Sequence, residues 1–181
     1  ESRAYLLEAL PYLQRTASLQ RMLAKVYDYL GTAYVRQGIR DTALKYYYCS
    51  LEVAGRLAVK DTLLTANVYA NIVGGVFMGY AGYAGKKDQV LYYLNLAKPM
   101  AIALGERGRT LLSNIYIDMG MTYDRLEGDT AQALVNYRLG IDQLRPIHEK
   151  RGHLQYAYTL VAAMYLDREI YEPAKLYIDS A

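Results

Sequence analysis

Apolar side chains recur at three- and four-residue spacing along nearly all of the 181 residues, and no stretch sustains the every-second-residue alternation of a half-buried strand. The pattern predicts an all-α protein. Breaks near Thr16 to Ser18, Gly38 to Asp41, Val59 to Asp61, Gly82 to Asp88, Gly105 to Gly108, Glu127 to Thr130, Lys150 to Gly152 and Arg168 to Glu172 divide it into nine helices. Asp41 and Asp88 are placed to cap first turns, and Pro173 suits a first turn, where its missing amide hydrogen costs nothing. The uncharged stretch from Thr62 to Gly85 has the length of a bilayer span, but Asn67, Asn71, two threonines and five glycines interrupt it. It reads as a buried helix followed by a turn.

A second, longer period underlies the helical one. Gly31, Gly75, Gly120 and Ala162 are separated by 44, 45 and 42 residues. Three residues after each stands Tyr34, Met78, Tyr123 or Tyr165; four residues before, Tyr27, Asn71, Tyr116 or Tyr158. In the following helix a small residue precedes a large one by four: Ala43 and Tyr47, Ala133 and Tyr137, Ala174 and Ile178. The second unit is blurred, since either Gln89 with Tyr93 or Val90 with Leu94 fills those places. Such a period describes stacked helical hairpins, in which a small residue mid-helix admits the partner helix and neighbouring units bury what one hairpin leaves exposed.

These residues resemble the tetratricopeptide repeat. Its aromatic, Leu-Gly, Tyr, Gly, Ala, aromatic and small positions match Tyr27, Leu30-Gly31, Tyr34, Gly38, Ala43, Tyr47 and Ser50 in the first unit. The third unit matches through Tyr116, Met119-Gly120, Tyr123, Ala133, Tyr137 and Gly140, with one extra loop residue. The fourth matches through Tyr158, Val161-Ala162, Tyr165, Ala174, Ile178 and Ala181. The second, with Asn71 and Gly74-Gly75, follows by register alone. The resemblance implies an α-solenoid of antiparallel hairpins wound as a right-handed superhelix. Its single domain would comprise the second helix of a preceding unit (residues 1–16), then repeats at 18–59, 60–105, 106–150 and, truncated, 151–181. The spacing exceeds the usual 34 residues. Long-repeat versions are similar to sensory or regulatory segments of bacterial signalling proteins, sensor histidine kinases among them.

Composition narrows the chemistry. With 53% apolar and 22% charged residues the chain has a real core, and 21 of its 22 aromatic residues are tyrosine, a ring that packs well with its hydroxyl near water. A net charge of +3, with basic clusters no longer than Lys86-Lys87 and Lys150-Arg151, gives no footprint for nucleic acid. Cys49, the only cysteine, has no internal disulfide partner and reads as a packed thiol. His148 and His153 are five residues apart, on different helix faces, so the zinc-protease spacing of four is not met. The glycines before Lys86 miss the phosphate-loop spacing, because Tyr80 stands where the first glycine belongs. No carboxylates pair as an acid and base; Asp118 with Asp124 and Asp28 with Glu52 are dispersed. The expectation is therefore no catalytic residue, no metal and no cofactor.

What remains is surface. By the resemblance, the groove is lined by the first helix of each unit: Lys25, Asp28, Thr32 and Arg36; Tyr69, Ile72, Val76 and Tyr80; Asn114, Ile117, Met121, Asp124 and Arg125; Tyr156, Thr159 and Ala163. Repeats of this family that clamp a terminal carboxylate use Lys and Asn in places held here by Asp28, Thr32, Ile72 and Val76, so that clamp is absent. The expected function is noncatalytic binding of a protein, as an extended peptide or amphipathic helix, against an apolar and aromatic middle with charged flanks. Two alternatives are the input domain of a bacterial signalling protein and a structural segment that self-associates through its open ends. No nucleic acid or membrane contact is expected.

Overall fold

The computed structural model describes residues 2–78 and 85–181, and among them there is helix and turn but no strand. The chain is all-α. It divides into two compact units, Glu1–Lys86 and Lys87–Ala181. The first holds α1 (Ser2–Arg15), α2 (Gln20–Val35), α3 (Arg40–Arg56) and α4 (Thr62–Asn71), the last running on into a π-helical turn at Ile72–Phe77. The second holds α5 (Lys87–Ala103), α6 (Arg109–Thr122) with a π-helical turn at Tyr123–Glu127, α7 (Thr130–Leu144), α8 (Arg151–Leu166) and α9 (Tyr171–Ser180). The division falls inside the stretch 60–105 expected to form one repeat, with α4 on one side and α5 on the other.

The most extensive packing joins α2 to α3, α6 to α7 and α8 to α9. Two of these hairpins are built on the same contact. A Cβ added to Gly31 would lie 2.5 Å from the ring of Tyr47, and one added to Gly120 would lie 2.7 Å from the ring of Tyr137. Both rings are buried flat against glycine backbone. A serine then fastens each pair of helices, and its place is exchanged between hairpins. Ser50 Oγ on α3 donates to the Ala24 carbonyl on α2 at 2.7 Å, whereas Ser113 Oγ on α6 donates to the Gly140 carbonyl on α7 at 2.8 Å. Ser113 stands where Ala24 stands, and Gly140 where Ser50 stands. One hydrogen bond is thus kept while donor and acceptor change helix. Ala43, Ala133, Ala162 and Ala174 are buried as expected of small contact residues. Gly75 differs, for its Cβ would meet Val35 of the preceding hairpin at 2.8 Å.

The turns repeat as well. Tyr34, Tyr123 and Tyr165 are half-buried, and each offers its backbone carbonyl to the chain beyond the helix end: Ile39 N–H donates to Tyr34 at 3.0 Å, Ile170 N–H to Tyr165 at 2.9 Å and Asp129 N–H to Tyr123 at 3.1 Å. In all three the residue just before the donor is left-handed, Gly38 at φ +75°, Gly128 at φ +66° and Glu169 at φ +59°, and the first and last form the Schellman helix ending. The third unit carries one more residue. It is not extra loop: the π turn at Tyr123–Glu127 takes it up within the helix, so Gly120 still faces Tyr137. Caps lie elsewhere than expected. Asp41 and Asp88 stand inside first turns, while Asp61 and Asp129 accept from the amides of Leu64 and Gln132 at 3.1 and 2.9 Å. Pro173 is in the first turn of α9 as predicted.

Gly31→Val and Gly120→Val should each cost about 1–3 kcal/mol by overpacking against the facing ring. Gly55→Ala, inside α3 with open space around it, should stabilise by about 0.5–1 kcal/mol. Urea denaturation of the three variants measures both. Glu169→Gly, which relieves a left-handed non-glycine residue at the α8 ending, should raise stability by about 0.5–1 kcal/mol; an unchanged or lowered midpoint would show that the turn carries no strain.

Candidate functional site

In the first unit the expected groove residues fall into two sets. Lys25 on α2 and Arg36 just past its end are exposed, and Tyr69 is half-buried on α4. Asp28, Ile72 and Val76 are buried, Ile72 completely. Tyr80 lies outside the described residues. Asp28 belongs to a polar network through three helices: Asn71 Nδ2 on α4 donates to its carboxylate at 2.9 Å, and Thr32 meets the Tyr47 hydroxyl at 3.2 Å beside it. Burial raises the Asp28 carboxyl above its ordinary value and pushes Tyr47 up to about 12, the nearby Asp28 charge adding to the latter. Asn71 occupies the place of an aromatic ring in the other units, and this bond to Asp28 gives the reason. A carboxylate taken out of water needs a donor more than the site needs a ring.

In the second unit Asn114 and Arg125 on or beyond α6, and Tyr156, Thr159 and Ala163 on α8, are exposed. Ile117 and Met121 are buried; Ile117 lies against Gly140, where a glycine Cβ would come within 2.9 Å of it. Asp124 is half-buried and ion-paired with Arg168 at 2.6 Å, and Arg168 also donates to the Met164 carbonyl at 2.9 Å. The Thr159 hydroxyl turns back onto the Gln155 carbonyl. The expectation that Ile72, Ile117 and Met121 present an apolar floor to a partner is therefore corrected. They are core, because glycine at the hairpin contacts draws the helices close enough to enclose them. The polar and aromatic rim of the expected groove is what remains accessible.

Three further features bear on chemistry. Asp118 on α6 is half-buried, its carboxyl has no hydrogen bond or ion pair among the described residues, and burial pushes it up to about 7. Cys49 packs against the core of α1 to α3, and burial first, then Glu52, raises its thiol pKa, the reverse of an activated nucleophile. No cluster of three or more metal-ligating side chains occurs among the described residues, and no described helix is long and apolar enough to cross a membrane.

A feature absent from the expectations lies where α7, α8 and α9 meet. Two hollows of about 200 and 430 Å³ share walls of Arg138, Arg145, Tyr158 and Tyr177. The Arg138 guanidinium lies beside the Tyr177 hydroxyl and that of Arg145 beside the Tyr158 hydroxyl, and these neighbours raise both arginine pKa values. Asp142 on the same helix pairs with Arg145 at 3.0 Å, at a position well exposed to solvent. A signal was available in the sequence, in the cationic residues one heptad apart on the second helix of the third unit, but only a comparison of second helices would have shown it.

No protein-family model and no curated protein matches the sequence. Among solved structures, the chain is similar to the crystal structure of BtubC (BKLC) from P. vanneervenii, with a TM-score of 0.76 and 15% identity, over 97% of this chain and 68% of that one. At this identity the likeness concerns the fold.

Asp118 makes stability depend on pH with a definite sign. Its folded pKa of about 7 lies above the ordinary 3.8, so between those values the folded chain holds more proton than the unfolded one. Its favourable contribution is complete below 3.8 and is lost as the pH rises through 7. Urea midpoints at pH 5 and pH 8 should therefore converge in Asp118→Asn relative to the parent; equal pH slopes in the two proteins would contradict the assignment.

Proposed function

We propose that this chain is a noncatalytic protein-interaction module of the tetratricopeptide type, a solenoid of helical hairpins that holds an extended peptide or partner helix along its first helices. The observation that carries this reading is the recurrence of one hairpin contact, glycine backbone under a buried tyrosine ring, at Gly31 with Tyr47 and at Gly120 with Tyr137. A fold assembled from copies of one unit presents equivalent faces in a row, and such rows suit extended ligands. The likeness in fold to BtubC is compatible with the reading. Taken unit by unit, the accessible residues of the expected groove are Lys25 and Arg36 in the first and Asn114, Arg125 and Tyr156 in the second. Binding is then by charged and amide side chains with tyrosine rings for contact area, which lose little rotamer freedom on binding, rather than by an apolar trough.

The test is a selection of peptides from a random displayed library against the whole chain, followed by affinity measurements on variants. Lys25→Glu with Arg36→Glu, or Arg125→Glu with Tyr156→Ala, should weaken the selected peptides at least tenfold with helicity unchanged. Ile72→Ser and Met121→Ser should instead lower stability by about 2–5 kcal/mol. An empty selection, or peptides indifferent to both surface pairs, would overturn the proposal.

A further inference from the structure

The last hairpin repeats the tyrosines of the first at a constant interval. Tyr27, Tyr34 and Tyr46 correspond to Tyr158, Tyr165 and Tyr177, each 131 residues on. The geometry corresponds too: Tyr46 lies 6.1 Å from Tyr27 and 5.3 Å from Tyr34, and Tyr177 lies 6.1 Å from Tyr158 and 6.0 Å from Tyr165, between ring centres. The helix that precedes each triad differs. In front of the first triad, α1 packs Leu6, Leu7 and Leu10 against the core, and Gln14 Nε2 donates to the Tyr27 hydroxyl at 2.9 Å. The same interval carries Leu7 onto Arg138 and Gln14 onto Arg145. Arg145 stands in Gln14's place, beside the equivalent hydroxyl of Tyr158. Arg138 replaces a packed leucine with a cation and leaves the cleft beside it.

The first triad also meets an arginine, for Arg3 on α1 lies over the Tyr34 ring at 5.3 Å, and the same interval carries Arg3 onto Leu134; the cation has moved one turn along the helix, from a ring face to the wall of a hollow. The cleft combines two guanidiniums with tyrosine rings and the exposed Leu176 on its wall. Guanidiniums bind carboxylates in a bidentate manner. Asp142, which lines the smaller hollow, engages Arg145 at 3.0 Å, so a peptide carboxylate there must displace it, whereas Arg138 has no ion-pair partner among the described residues. Seven residues of helix separate the two arginines by about 10 Å along the axis. Three residues of a polyproline II strand cover about 9 Å, close to that distance, and bring side chains i and i+3 back to one face.

We infer that this cleft is a second binding site, for an extended acidic peptide whose Asp or Glu side chains, three residues apart, seat on Arg138 and Arg145 while an apolar neighbour packs on Leu176 and the tyrosine rings. The site rests on the reading of the chain as a peptide-binding module but uses a different face, so the two can fail separately. The control variant is supplied by the protein itself. Arg138→Leu with Arg145→Gln restores the residues that close the equivalent triad, and should fold at least as stably as the parent.

The test measures fluorescence anisotropy of the intact chain with labelled hexapeptides carrying Glu at the second and fifth positions, and with the same peptides carrying Gln, at low ionic strength. The acidic set should bind at least tenfold more tightly than the amide set, and the double variant, checked for helicity, should lose that preference. Equal binding of the two sets, no binding of either, or a preference that survives the double substitution would overturn the site. A thermal shift with inorganic phosphate that is lost in the double variant, with no preference between peptides, would likewise overturn it in favour of a small-oxyanion pocket. None of these adverse results touches peptides selected on Lys25, Arg36, Arg125 or Tyr156.

Discussion

The fold depends on how close two helix backbones can come. A tyrosine ring laid on glycine brings the paired helices nearer than any side chain at position 31 or 120 would permit, and much else follows from that distance. It lets a serine hydroxyl reach the facing carbonyl in each hairpin. It encloses Ile117 against Gly140. It also explains why the third unit accommodates an added residue as a π turn rather than by shifting α7: moving Tyr137 off Gly120 would forfeit a close-packed contact, whereas a single wide helical turn costs little.

A core rich in tyrosine carries a second constraint, because every buried hydroxyl must find a partner or lie at the edge. The solutions differ by place. Tyr47 meets Thr32 near a buried carboxylate, Tyr27 accepts from Gln14, and Tyr158 and Tyr177 lie at the edge of a hollow beside arginines. Asp28 is held by Asn71, while Asp118 has no such donor among the described residues, and the contrast shows in their environments: one is a satisfied member of a network, the other a carboxyl whose charge is resisted by burial alone.

Much of the architecture was legible in the sequence, and the reason is that the hairpin contact requires a residue type few others can replace. Gly31 and Gly120, with tyrosines at fixed distances, mark both the helices and their pairing, and the turn clusters fall close to the observed helix ends. What was not legible depends on atoms rather than spacing. Whether Ile72 or Met121 faces a partner or the interior is decided by how tightly neighbouring helices close over it, and a helical period alone does not say which flank of a wide apolar stripe is covered. The Asp28 to Asn71 bond and the exchanged serines join residues of different helices through side-chain reach, which no single-helix pattern encodes. The capping role of Asp61 and Asp129 was obscured by equally suitable aspartates nearby, since Asp41 and Asp88 satisfy the same local rule one or two positions too late.

Repetition makes departures from the repeat informative. Where two units differ at a position that packing determines, the unit that packs well shows what stability alone would select. The first hairpin packs leucines and a glutamine against its tyrosine triad and lays the Arg3 guanidinium over the Tyr34 ring at 5.3 Å. The last hairpin keeps the three rings at nearly the same separations, with Leu134 in the place of Arg3 and arginines in the places of Leu7 and Gln14. A cation is thus kept on the preceding helix but moved one turn along it, from a ring face to the wall of a hollow. A guanidinium stacked on a ring has that face occupied, whereas one lining an aromatic-walled hollow has room beside it, so the difference between the two triads lies in what they can hold.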